Sequence, residues 1–228
     1  MFIFIFSQSF ILSLIFAKSF LNVEKLSGEL LLTNKAYTRF VPKEFLNFLG
    51  KESIIDIKLG DQVQKEMTVL FSDIRSFTTL SEQMTPEENF NFINSYLKRM
   101  NPIIEKNNGF IDKYIGDAIM ALFARSPVDA IQAAIEMQKA ILLYNQDRVD
   151  KNMEIIKIGV GLHTGLLMLG TIGGEDRMEG TVISDAVNLT ARLEGLTKVY
   201  GSLILTSEET FLKANGPEKF KYRRLGKA

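Results

Sequence analysis

From Met67 to its end the chain keeps switching between two hydrophobic patterns: short apolar runs, and longer stretches whose apolar residues recur every three or four positions. A short apolar run satisfies itself as a strand and a 3.6-residue period as a helix, so this alternation commits the chain to helices packed against a sheet. MTVLFSD (67–73) is a β-branched and aromatic run that stops at Asp73 and gives way to the turn-to-helix stretch IRSFTTLSEQ. Thr85-Pro86-Glu87-Glu88 then combines three helix-start signals: Thr85 as N-cap, Pro86 at the first helical position and Glu88 where it can close a capping box. Phe90, Ile93, Leu97, Met100 and Ile104 supply an apolar face, and Asn108-Gly109 ends the helix. FIDKYIGDAIMALF (110–123) reads as two strands folded about Gly116-Asp117. A second helix is expected from about Pro127 to Tyr144, strands at IIKIGVGLHTG (155–165) and LLMLGTIGG (166–174), and a helix over 184–199. The sum is an α+β sandwich.

The N-terminal part has another character. Residues 2–17, FIFIFSQSFILSLIFA, are uncharged and end at Lys18, which reads as the end of a transmembrane helix with its cationic flank on the cytoplasmic side, or as a buried helix. Mixed three- and four-residue spacing from Leu21 to Phe48, including Phe40, fits a connecting helix. A polar stretch from Lys51 to Lys65 with Gly60-Asp61 fits a linker. The expected division is 1–20 membrane-helix end, 21–64 transducer segment and 65–228 catalytic domain.

Composition narrows the chemistry. Lys plus Arg and Asp plus Glu number 27 each, so bulk charge favours neither nucleic acid nor an anionic surface. The absence of cysteine removes disulfides, thiolate metal sites and a Cys nucleophile, and the single histidine, His163, removes multi-His sites. A metal here must be held by carboxylates and backbone oxygens, which means Mg²⁺, Mn²⁺ or Ca²⁺.

Asp73 and Asp117 each stand where an apolar strand runs out, which places two carboxylates at a sheet end. On adjacent strands they could bridge divalent metals, with the Ile74 carbonyl as a third oxygen, or one could cap a helix and the other close a hairpin. The N–H groups of Ser76, Phe77 and Thr78 open a helix and would face an anion held there. Asn188 and Arg192 are four apart on one helix face, either meeting developing negative charge on a phosphoryl group or simply solvated. Lys113 within its strand is an edge charge or a donor to a ligand base, and Thr181 could merely shape a turn.

FSDIRSFT (71–78), GFIDKYIGDAIMALF (109–123), HTG (163–165) and TVISDAVNLTARLE (181–194) together resemble the successive blocks of the class III nucleotidyl cyclase catalytic domain, over about residues 65–228. The resemblance implies an antiparallel-rich sheet with a ferredoxin-like βαββαβ core and packed helices, working as a head-to-tail homodimer with active sites at the interface. It implies Asp73 and Asp117 as ligands of two Mg²⁺ or Mn²⁺ ions in one subunit, and from the other subunit Asn188 and Arg192 as the transition-state pair and Lys113 and Thr181 as purine readers. Arg177 falls near a phosphate-contacting region. The reaction implied is ATP to 3′,5′-cyclic AMP and pyrophosphate. Adenine offers an acceptor at N1 and a donor at N6, which suits a donating Lys113 and an accepting Thr181, whereas guanine's N1–H would oppose Lys113 donor to donor. Guanylate cyclase is the enzymatic alternative, and a non-catalytic dimerisation or nucleotide-sensing module the other. The chain departs from the family at Gly180, where an aromatic is common, and at Ser184, where glycine is. It stops at Gly226-Lys227-Ala228, before the usual phosphate-binding lysine, so a truncated C-terminus is expected. The membrane-helix reading places the protein at the inner membrane with the cyclase domain in the cytoplasm, and no part of the resemblance implies nucleic acid.

Overall fold

Two strongly apolar strands lie at the centre of the sheet, where side chains on both faces join packed cores. β1 (Gln62–Ile74) pairs antiparallel with β3 (Ala118–Phe123) on one side and β4 (Ile158–Gly174) on the other. β2 (Gly109–Ile115) flanks β3, β5 (Arg177–Ile183) flanks β4, and the short β6 (Ile204–Thr206) adds a parallel pairing to β4. The order is β2-β3-β1-β4-β5. The computed structural model describes residues 2–37, 41–174 and 176–226, and for residues 2–9 the backbone only. The chain divides into two compact units, Met1–Lys43 and Glu44–Ala228.

Alternate residues along each strand serve different cores, as the two-residue period of a pleated strand requires. Leu70, Ile119, Ala121, Ile158, Val160 and Leu162 pack against α4 (Pro86–Lys106) and α5 (Pro127–Asp150). Met67, Val69, Met120, Leu122, Leu167 and Leu169 face the other way, with Phe110, Val182 and Phe45. Phe45 is 3% exposed and comes from α2 (Lys43–Phe48), so residues 44–61, ahead of the first strand, belong to the same packed unit as the sheet. The run β1-α4-β2-β3-α5-β4 is the expected ferredoxin-like βαββαβ core.

α4 begins as read, with Thr85 Oγ1 accepting from the Glu88 N–H at 3.3 Å and Glu88 accepting from the Thr85 N–H at 2.8 Å. Of the expected inward face, Met100 and Ile104 are buried and Ile93 and Leu97 pack partly buried against the core, where Phe92 and Tyr96 join them, whereas Phe90 is exposed. The four buried side chains contribute roughly 1.5–3 kcal/mol each to holding the helix on the sheet. The two strands expected over 155–165 and 166–174 are one strand, β4, from Ile158 to Gly174, because Gly165 stays in register opposite Met67 and the ladder runs through it. β5 has no counterpart among the strands expected from sequence, where Thr181 is considered as a turn-shaping or purine-reading residue. The strand is polar and exposed along most of its length, so it carries no hydrophobic signature, yet it pairs with β4 from Met168 to Gly174.

α6 (Asp185–Val199) lies directly on β4, where a side chain at Gly161 would strike the backbone of Thr190 and Glu194. α3 (Phe77–Ser81), α7 (Glu208–Lys213) and α8 (Gly216–Lys219) complete the unit. His163 is buried in β4 with Nδ1 2.8 Å from Ser207 Oγ, and burial lowers its pKa, which fits a neutral strand-supporting role.

In the other unit, α1 (Phe2–Tyr37) is one continuous helix that runs past residue 20. Among the described residues no helix is long and apolar enough to cross a membrane, so the expected spanning segment is not supported. Phe40 and Lys227 lie outside the described residues.

Candidate active site

Asp73 and Asp117 are brought together by the meeting of β1 with the β2–β3 hairpin. Gly116 takes φ +64, a left-handed conformation that side chains disfavour, and lets the two-residue turn present Asp117. The N–H of buried Ile74 donates to Asp117 Oδ2 at 3.0 Å, which ties the turn to the end of β1. The Asp117 carboxyl is pushed up to about 7, first by burial and then by its hydrogen bond with Asp73 and that residue's negative charge, with the Ile74 N–H opposing. Two carboxyls this close share protons rather than both ionise, unless a cation lies between them. Beneath them Tyr96 is fully buried, its hydroxyl 3.2 Å from Ser72 Oγ, and burial raises its pKa further out of the titrating range.

Among the described residues no three His, Asp or Glu side chains gather as a metal cluster. The acidic pair nonetheless fits a divalent cation, since its mutual repulsion is what a cation relieves, and backbone or substrate oxygens would fill the remaining positions. Glu194 on α6 points into the same region: burial raises its carboxyl first and Asp73's charge second, and its Oε1 is buried without a hydrogen bond. Arg75 donates from Nη2 to the carbonyls of Thr197 and Ser202, binding the end of β1 to the far end of α6. Neither residue was singled out by sequence, because nothing but their position inside the quoted blocks marked them.

After Asp73 the chain turns into α3 through Ser76, which sits at φ 57 as N-cap without a side-chain cap bond. Phe77 stacks on Phe92 with centroids 6.2 Å apart, so only its backbone faces outward chemistry. Thr78 accepts from Ser81 and Glu82 through its carbonyl.

A second cluster forms elsewhere on the sheet. Lys113 Nζ lies 3.4 Å from Thr181 Oγ1, 3.4 Å from Asp112 Oδ2 and 3.9 Å from Glu179 Oε1. Lys113 is on β2 and Thr181 on β5, the two outermost strands of the pairing order, so the sheet curls until its edges meet. Thr181 is thus a strand residue opposite Gly170 rather than part of a turn. Among the described residues no hydrogen bond or ion pair joins this cluster to Asp73 or Asp117.

Asn188 and Arg192 are both exposed on one face of α6, whose opposite face buries Ala186, Thr190, Leu193 and Thr197. Ser184 caps this helix, its Oγ accepting from the Ala186 N–H at 3.0 Å and donating to the Leu166 carbonyl at 2.5 Å. Arg177 is exposed at the start of β5, opposite Gly174.

A curled α+β sheet with a carboxylate pair at the mouth of its central strands and a cation–hydroxyl pair across its edges defines a domain of the nucleotidyl cyclase type. The chain belongs to the adenylate and guanylate cyclase catalytic domain family, whose model matches residues 60–228. An adenylate cyclase of Anabaena cylindrica is 43% identical over 201 residues, covering 86% of this chain and 40% of that protein. A terminal-differentiation-specific adenylate cyclase of Dictyostelium discoideum is 39% identical over 178 residues, covering 76% of this chain and 8% of its own length. The chain therefore spans well under half of the curated relatives it matches. Among solved structures, the adenylyl cyclase CyaB from P. aeruginosa matches with TM-score 0.61 and 34% identity, covering 68% of this chain and 82% of that one. The guanylyl cyclase Cya2 matches with TM-score 0.61 and 33% identity, covering 69% and 81%.

Proposed function

We propose that the chain is the catalytic part of an adenylate cyclase that converts ATP to 3′,5′-cyclic AMP and pyrophosphate at a homodimer interface. The observation that carries this reading is the division of the site: the acidic pair is complete within one subunit, while exposed Asn188 and Arg192 have no hydrogen-bond or ion-pair partner among the described residues. An amide and a guanidinium left free on a helix suit a phosphate that a second subunit brings to them. Asp73 and Asp117, with the Ile74 carbonyl, would hold two Mg²⁺ or Mn²⁺ ions. When bound, these ions would make the ribose 3′-hydroxyl a better nucleophile and offset charge on pyrophosphate. The N–H groups of Ser76 to Thr78 and exposed Arg177 would face the phosphate oxygens, and Lys113 and Thr181 would read adenine N1 and N6.

Product analysis with ATP and with GTP, in Mg²⁺ and in Mn²⁺, tests the assignment. Cyclic AMP as the dominant product is expected. Faster turnover of GTP would transfer the assignment to guanylate cyclase, a reading that the resemblance to Cya2 keeps in play. Nucleotide binding with no cyclic product would leave only a sensing module. We place the catalytic unit in the cytoplasm, where ATP is abundant and a cysteine-free chain loses nothing to reduction. Cell fractionation checks this.

A further inference from the structure

Asp112 is the extra residue of β2: Ile111 pairs with Ala121 and Lys113 with Met120, so Asp112 opposes nothing on β3. Neighbours in a regular strand point to opposite faces, but a bulge breaks that alternation and re-aims the following side chain. Here the charged ends of Asp112 and Lys113 meet at 3.4 Å. The Asp112 side chain is only 4% exposed, although it stands on an edge strand, and its Oδ2 has no hydrogen bond despite the nearby ammonium. Burial raises its carboxyl, with the Lys113 charge acting against that. A carboxylate is costly to bury unless it is paired, and Lys113 is the sole cation within ion-pair distance among the described residues.

We propose that Asp112 is a positioning residue for purine recognition, a buried counter-charge in a bulge that holds Lys113 across the closed edge of the sheet toward Thr181. Glu179 also approaches Lys113, but its side chain is largely exposed, so solvent screens it and the buried acid dominates. This rests on the assignment of Lys113 as base reader, and the experiment separates the two ideas.

Lys113→Gln is measured first, with ATP and GTP. If base preference is unchanged, Lys113 does not read the base and the underlying assignment fails before Asp112 is tested. If preference narrows, Asp112→Asn should raise KM for ATP about tenfold with little change in kcat, and should narrow the ATP-to-GTP ratio by a similar factor. Glu179→Gln should change KM less than about twofold. In the Lys113→Gln background, Asp112→Asn should add nothing, the result a double-mutant cycle gives for two groups acting as one. An unchanged KM in Asp112→Asn, or independent effects in the cycle, overturns the proposal. Should the amide fail to fold, Asp112→Ser removes the charge, leaves room for water and carries the same expectation. On the unaltered dimer, proton–nitrogen correlation NMR should resolve an ordered Lys113 ammonium before nucleotide is added, and an averaged, solvent-exchanging signal overturns it.

Discussion

The two halves of the site are built in opposite ways. The acidic half joins a strand end to a two-residue turn 43 residues further along the chain, tied by the Ile74 N–H donating to the Asp117 carboxylate, and it gathers like charges that repel. The half proposed to face the base is made where edge strands 68 residues apart in sequence close the sheet on itself, and it gathers opposite charges that attract. A cation between the carboxylates would relieve the first, whereas the second balances its charges within the chain. Metal binding should therefore reorganise one half and leave the other unchanged.

The largest effect should come from the acidic half. Asp73→Ala is expected to lower cyclic AMP formation by at least about a thousandfold, measured by product chromatography. An active variant would remove the metal site from the mechanism. Mixing Asp73→Ala with Arg192→Ala subunits should then restore about a quarter of normal activity, because half the random dimers are mixed and each of those retains one intact site of two. No recovery would place all four groups within one subunit. In the base-facing half, Lys113→Gln should narrow the preference for ATP over GTP by about tenfold to a hundredfold, as loss of a discriminating donor does.

Smaller effects separate the halves by pH and by packing. Asp117 titrates near 7 in the folded chain against 3.8 as its ordinary value, so between these limits the folded state holds a proton that the unfolded state has released. Without metal, stability should fall as pH rises through that window, and saturating Mg²⁺ or Mn²⁺ should reverse the trend by displacing the proton. A metal-free melting temperature independent of pH between about 4 and 7 would break this assignment. Least of all, Gly180→Ala should cost about 1 kcal/mol in denaturant titration, since a methyl group there comes within 2.9 Å of the Phe45 ring edge, which has to shift.

What could be read in advance is what each short segment settles by itself. The capping box of α4, the Gly116-Asp117 turn and the two strand-end aspartates depend on residues close in sequence, and each is where its pattern places it. Misreadings occurred where pairing partners are distant. His163-Thr164-Gly165 looks like a strand end, but Thr164 Oγ1 meets Thr68 Oγ1 at 2.8 Å across the ladder and β4 continues. β5 has almost no apolar periodicity, because most of it is exposed on both faces, so no strand is expected around Thr181 and a turn stands as the alternative to its purine-reading role. Asp112 gave no signal at all. A bulge is a property of two strands together, and one strand's sequence does not announce it.

The absence of a side chain at Gly180 is matched by the presence of one at Phe45. A ring wedged against bare backbone resembles a key in a slot: it permits one depth of insertion and resists sliding. The residue that follows the slot is Thr181, so rotating or withdrawing α2 would tug on β5, which carries the proposed base reader, before it disturbed the carboxylates. On the proposed reading of Thr181, a short helix ahead of the sheet would gain leverage over substrate choice without approaching the acidic pair.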